Sequence, residues 1–141
     1  MALEFRKHFF VRFGQVDRAG IVYYPTLYDT FHTAFEEFWR EAAGRPYDRV
    51  LEDEGVGYPA VHVETDFRAP LRYGDGYEVA VTVARLGERS VTWHYRGFRE
   101  GAGEPFLDAR ITTACVDMGT WRSRAVPADH RRLLEPYLDR D

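Results

Sequence analysis

Apolar residues recur along this chain with two different periods, and the change from one to the other falls near Gly57. Between Thr26 and Ala43, Leu27, Phe31, Ala34, Phe35, Phe38, Trp39 and Ala42 sit at helical spacing, while Asp29, Thr33, Glu36, Glu37, Arg40 and Glu41 fill the other face. The spacing predicts one long amphipathic helix. Pro25 suits its first helical position, which makes Tyr24 the cap residue, and Gly44 with Pro46 ends it. After Gly57 the period is two: Val61, Val63, Thr65 and Phe67 alternate with His62, Glu64, Asp66 and Arg68. Further strands are predicted from Tyr77, Val79, Val81 and Val83, from Val91, Trp93 and Tyr95, and from Leu107, Ala109, Ile111, Thr113 and Cys115. Breaks at Gly74-Asp75-Gly76, Gly87-Glu88 and Gly101 to Pro105 are short enough for an antiparallel meander of these four strands. Upstream, Glu4 to Phe13 reads as a strand with Phe5, Phe9, Val11 and Phe13 on one face. Tyr47 to Glu54 and Pro127 to Leu138 are expected to form short helices.

The resulting order, strand, loop, long helix, then consecutive strands, is an α+β layout in which an antiparallel sheet wraps one long central helix. No repeat, linker or low-complexity segment divides it, so residues 1–141 read as a single domain. Such a sheet leaves its other face and its edges uncovered, and pairing with a second copy is expected. Aromatic residues make up 16% of the chain, a share that points to an apolar pocket or a subunit interface as well as a core. A formal charge of −4 argues against a general nucleic-acid or anionic-membrane binder. No apolar run approaches the ~20 residues of a membrane span, and Met1 to Arg6 lacks a basic-then-apolar signal, so the expected compartment is the cytoplasm. The single cysteine, Cys115, excludes an internal disulfide and a cysteine zinc cluster, and its place in an alternating strand makes it a buried, inert thiol. His8, His32, His62, His94 and His130 show no HExxH or comparable ligand spacing, so no metal is expected.

Chemistry concentrates in Phe13-Gly14-Gln15-Val16-Asp17-Arg18-Ala19-Gly20-Ile21-Val22-Tyr23-Tyr24-Pro25, where a lone carboxylate precedes a proline-started helix. A helix start offers N–H groups without intrahelical acceptors, and their partial positive charge suits an oxyanion. Asp17-Arg18-Ala19-Gly20 is equally a good type I turn, with Asp first and Gly fourth. Spacing alone leaves both readings open.

With these residues in view, the chain resembles the hotdog-fold acyl-CoA thioesterases, and in particular their 4-hydroxybenzoyl-CoA thioesterase branch. The resemblance rests on Phe13-Gly14, Asp17, Ala19-Gly20-Ile21-Val22 and Tyr24-Pro25 followed directly by the long helix, and on Val126-Pro127-Ala128-Asp129 near the end. It covers nearly the whole chain. It implies a homodimer, doubled to a dimer of dimers, with acyl-CoA bound between subunits and no cofactor beyond the coenzyme A of the substrate. It also implies that Asp17 attacks the thioester carbonyl or acts as general base for water, while the backbone N–H of Tyr24 receives the oxyanion. Arg89, Arg122 and Arg124 fall where the family places groups for the phosphates of coenzyme A. His62 lies on a strand that runs beside the active site of the family's dimer, and is kept as a substrate-binding residue.

Three positions depart from that branch. His32 stands where an acidic residue of the long helix would help recognise a phenolic hydroxyl, Gln15 stands where the turn is often acidic, and Gly87-Glu88 replace basic residues before Arg89. They bear on 4-hydroxybenzoyl specificity and leave thioester hydrolysis intact. Two other functions fit the same fold: a non-catalytic acyl-CoA-binding protein, and a dehydratase or hydratase acting on the acyl chain. The second needs a paired His and acid, and the opening loop holds none.

Overall fold

The two periodicities become, in chain order, β1 (Phe5–Phe10), α1 (Tyr24–Glu37), α2 (Tyr47–Glu52), β2 (Val56–Gly57), β3 (Ala60–Phe67), β4 (Gly76–Leu86), β5 (Ser90–Arg99), β6 (Leu107–Ala114), β7 (Val116–Asp117) and α3 (Ala128–Leu134). The structure, a computed structural model, describes residues 2–139, so the ends of the expected 1–141 span lie outside the described residues. None of its helices is long and apolar enough to cross a membrane.

Five strands form one antiparallel sheet in the order β1-β4-β5-β6-β3. The expected four-strand meander is therefore corrected: only β4, β5 and β6 follow one another, and β3 lies at the far edge against β6, with Val63 opposite Ile111 and Thr65 opposite Ala109. The cause is the segment between β3 and β4. Instead of turning back, it binds the far side of the fold, where the Arg68 N–H donates to Phe106 O, the Val22 N–H donates to Leu71 O and Arg72 bridges to Ile21. β3 thereby keeps an unpaired outer edge, with Val61, Val63 and Phe67 all exposed.

The apolar stripe of α1 is buried against this sheet. Phe31, Ala34, Phe35, Phe38 and Trp39 have almost no exposed surface, and they face Val79, Val81, Trp93 and Tyr95. The rings interlock, Phe35 edge-on to Trp93 at 5.0 Å and Phe31 stacked on Tyr95 at 5.1 Å. Burying each such side chain stabilises the fold by roughly 1.5–3 kcal/mol. The helix runs on through a π-turn, Phe38–Ala42, in which the Ala43 N–H reaches back to Phe38 O, and Gly44 at φ +75° ends it as expected.

Two boundaries shift. β1 stops at Phe10 because β4 begins at its partner, Gly76, so Val11 bonds to the turn at Asp75 and Phe13 enters a one-turn 3-10 helix with its ring in solvent. The cap of α1 is Tyr23 and Tyr24 is its first helical residue, one position earlier than predicted. Tyr23 is held extended by donating its N–H to Gln15 O, while its own carbonyl accepts from the Thr26 N–H.

Close approach of β5 to the chain before β6 makes Gly97 a steric requirement. A Cβ there would lie 2.5 Å from the buried Phe106 ring. Gly97→Ala is expected to destabilise the fold by about 1–3 kcal/mol, read as a lower midpoint in urea with an unchanged slope.

Candidate active site

The loop before α1 is folded by its own polar groups. Asp17 O accepts from the Gly20 N–H, Asp17 Oδ1 accepts from the Ala19 N–H at 2.8 Å, and Gly20 sits at φ +83°, the left-handed region that glycine adopts freely. The expected turn is thus present, and it holds the carboxylate by one oxygen. Among the described residues nothing bonds Oδ2, and Asp17 is exposed. Gln15 closes the loop from the other side, its side-chain oxygen accepting from the Arg12 N–H and its carbonyl from the Tyr23 N–H.

At the head of α1 the Thr26 N–H is taken by Tyr23 O, and Pro25 has no N–H. The Tyr24 N–H is left without an acceptor among the described residues. Here the fixed dipole of the 14-residue helix emerges. The head of α1 borders a cleft of about 500 Å³ whose walls include Ile21, Val22, Tyr24, Phe67, Arg68 and Leu71. Asp17 is not on its wall; it sits on the loop that leads into it, its N–H donating to Ile21 O.

A second cleft, of about 470 Å³, opens between α1 and the β3 side of the sheet, with His32, Tyr47, Ala60, Val63, Ile111 and Trp121 among its walls. It is not adjoined to the first within one chain: His32 lies eight residues after Tyr24, about 12 Å further along the helix. β3 serves both, contributing Ala60 and Val63 to one cleft and Phe67 to the other.

The structure separates the other predicted site residues. His32 lines the second cleft, its Nδ1 2.9 Å from Glu36 Oε2 and its ring against Phe35 and Tyr47. His62 does not line it. Val63, Thr65 and Phe67 turn toward α1, where Thr65 Oγ1 accepts from the Tyr28 hydroxyl, so strand alternation sends His62 off the opposite face beside Glu64. Arg89 donates to Ser123 O at 3.1 Å, which brings it to the chain between Arg122 and Arg124. Arg124 donates to Ala125 O, and Arg122 makes no side-chain bond among the described residues. Arg122 directly follows Trp121, which lines the second cleft, but none of the three arginines is itself on the wall of that cleft.

Trp121 itself was invisible to pattern. It is exposed, yet it lines the cleft mouth with φ 59°, a conformation uncommon for a bulky residue. Asp117 enforces it: its carbonyl accepts the Trp121 N–H at 2.7 Å, and its Oδ1 accepts from Gly119 and Thr120. Tyr47, Tyr58 and Tyr95 were equally unmarked, Tyr95 reading as one more apolar position in an alternating strand. Their polar tips, which need partners when buried, were the available signal.

Two groups lie behind the cleft and outside it. Cys115 is buried, and burial pushes its thiol up, as suits an inert side chain. His130, fully buried, bridges Glu54 Oε1 at 2.7 Å and the Tyr58 hydroxyl at 2.7 Å. Glu54, Asp129 and His130 are close enough to share a cation, but the Arg45 guanidinium already occupies both carboxylates, holding the Asp129 carboxyl below the usual carboxylate range.

Comparison with known proteins adds what one chain cannot. A family model described as thioesterase-like superfamily matches residues 11–134. A 1,4-dihydroxy-2-naphthoyl-CoA hydrolase of Synechococcus elongatus is 30% identical over 130 residues, spanning 92% of this chain and 93% of its own. The solved structure of a thioesterase-superfamily protein from Jannaschia sp. CCS1 superposes with a TM-score of 0.89 at 26% identity, covering 96% of this chain and 94% of that one. A gentisyl-coenzyme A thioesterase superposes with a TM-score of 0.79 at 25% identity, over 89% of this chain and 98% of that one.

Proposed function

Because the chain belongs to the thioesterase-like superfamily and has the hotdog fold, we propose that it hydrolyses an aryl- or short acyl-CoA thioester to the free acid and coenzyme A. The observation that carries this reading is that one loop leads from a carboxylate with one oxygen unbonded among the described residues, Asp17, to the head of α1, where the Tyr24 N–H has no acceptor among them. Asp17 Oδ2 either attacks the carbonyl carbon or takes a proton from the water that does so. As the tetrahedral centre forms, its oxyanion accepts from the Tyr24 N–H, a donor that can contribute about 10²- to 10³-fold in rate. The C–S bond then breaks and coenzyme A leaves as a thiolate. In the general-base route the proton that Asp17 took from water passes to that thiolate; in the nucleophilic route water hydrolyses the mixed anhydride on Asp17, which frees the acid and the carboxylate and supplies the thiol proton. A thioester is already activated, so this chemistry calls on no further cofactor or metal.

The working unit in this reading is a cytoplasmic homodimer, doubled to a tetramer. The exposed, unpaired edge of β3 supports it. Antiparallel pairing of β3 with its copy reverses strand direction, so the Ala60–Val63 end of one chain meets the Thr65–Phe67 end of the other. Asp17 and Tyr24 of one subunit then adjoin the second cleft of its partner, which takes the acyl group with His32 on its wall. Arg89, Arg122 and Arg124 bind the phosphates of coenzyme A.

Release of free thiol from a panel of CoA thioesters tests the function, starting with 1,4-dihydroxy-2-naphthoyl-CoA and gentisyl-CoA, the esters named for the relatives. Turnover of aryl or short acyl esters is expected. Saturable binding with no thiol released from any ester would assign a binding protein instead, and loss of the conjugated double bond of a 2-enoyl-CoA would assign a dehydratase.

A further inference from the structure

The second cleft is apolar apart from His32, Tyr28, Tyr47, Tyr58, Tyr95, Thr113 and the indole N–H of Trp121 at its mouth. Most of these polar groups are already engaged. The Tyr28 hydroxyl donates to Thr65 Oγ1 at 2.9 Å. The Tyr58 hydroxyl bonds His130 Nδ1 at 2.7 Å, and Glu54 takes the other side of that ring. Thr113 Oγ1 accepts from Trp93 Nε1 and donates to Val91 O. Glu36 occupies Nδ1 of His32.

Two phenols remain. Tyr47 Oη accepts from the Tyr58 N–H at 2.9 Å, but its proton has no acceptor among the described residues. Tyr95 is 3% exposed, lines the cleft, and its hydroxyl has no partner of either kind among the described residues. Neither ring is free to turn elsewhere: Tyr95 is stacked on Phe31, and Tyr47 is set edge-on to Phe35 at 4.8 Å. Burial pushes both phenols up, and Tyr47 is near enough to Tyr95 to add to its shift, so both keep their protons. When a ligand fills the cleft, a donor left without an acceptor costs about 1–3 kcal/mol, and a ligand oxygen that supplies the acceptor avoids that cost.

We propose that Tyr95 and Tyr47 are specificity-determining residues that donate hydrogen bonds to an oxygen on the ring of the acyl group, so that the cleft selects ring-hydroxylated aryl esters over unsubstituted ones. An aryl hydroxyl oxygen can accept both bonds, and the surrounding apolar wall takes the ring. A site built this way discriminates strongly, because the analogue without the oxygen leaves both donors unpaired. The inference rests on reading the cleft as the acyl pocket of a thioesterase.

The test is a ratio of kcat/KM values, 4-hydroxybenzoyl-CoA over benzoyl-CoA and 1,4-dihydroxy-2-naphthoyl-CoA over 2-naphthoyl-CoA, in wild type, Tyr95→Phe and Tyr47→Phe. Wild type is expected to favour the hydroxylated member of at least one pair by about 10-fold or more, and Tyr95→Phe to lower that ratio by about 10-fold. Tyr47→Phe lowers it in the same direction. Melting temperatures of the variants separate misfolding from lost discrimination. A ratio in Tyr95→Phe equal to that of wild type in both pairs overturns the proposal, although hydrolysis itself stands. If no ester is hydrolysed, the thioesterase reading fails on its own, and the same pairs are titrated calorimetrically. A wild-type Kd preference for the hydroxylated ester that shrinks in Tyr95→Phe upholds the proposal, and equal preferences overturn it.

Discussion

Asp17→Asn lowers kcat by about 10³-fold, within the 10²- to 10⁴-fold range of a lost acid–base group, while KM and the melting temperature stay near the parent values. Asparagine keeps the shape of the side chain, and its carbonyl oxygen still accepts the Ala19 N–H bond that Asp17 Oδ1 accepts at 2.8 Å. The turn to Gly20 and the approach to α1 therefore survive. What is lost is the second oxygen, replaced by an amide that neither attacks a carbonyl nor takes a proton from water. Thiol release under saturating ester is the measurement, with circular dichroism as the check on folding. A variant as fast as wild type on its best ester would remove Asp17 from the chemistry.

The second large effect concerns where the site is assembled. Asp17→Asn has a dead loop and an open cleft, whereas Ile111→Trp, filling the second cleft from β6, has a live loop and a blocked cleft. Each alone is expected to lose at least about 100-fold in activity. Co-expressed with different tags and mixed at random, they form mixed dimers in half the population. Each mixed dimer holds one site that joins the live loop to the open cleft, so activity returns to about one quarter of the wild-type level. Were loop and cleft of the same chain the working pair, the mixture would stay as inactive as its parts. The orientation of β3 makes the distinction sharp, because only a partner reverses the strand that links the two clefts.

The parts of the fold that announce themselves in the sequence are those set by neighbours within a few residues. The stripe from Leu27 to Ala42 and the alternation in residues 77–83, 91–95 and 107–115 each depend on local period, and they appear as α1, β4, β5 and β6. The Asp17 to Gly20 turn is local too. The position of β3 is different. Its alternation is as clear as that of β4, but which strand it joins is decided by bonds from Arg68 to Phe106 and from Val22 to Leu71, across distances in the chain that no period spans. The same limit applies to the cleft. Tyr95 and Val91 read alike as inward positions of β5, and only the packing tells that the hydroxyl of one has no partner among the described residues and lies on the cleft wall. His62 misleads for the converse reason, since being on the right strand says nothing about the face it takes when the strand lies at an edge.

Trp121 also has a use in the laboratory. The chain has three tryptophans. Trp39 and Trp93 are sealed among Phe35, Phe38 and the sheet, while Trp121 stands 64% exposed at the cleft mouth, held there by Asp117. Two indoles thus emit from a constant, dry environment and the third from water, at the place a ligand must pass. The protein carries its own optical reporter, in which a blue shift of the single wet fluorophore marks occupancy of the mouth and the other two supply an internal reference.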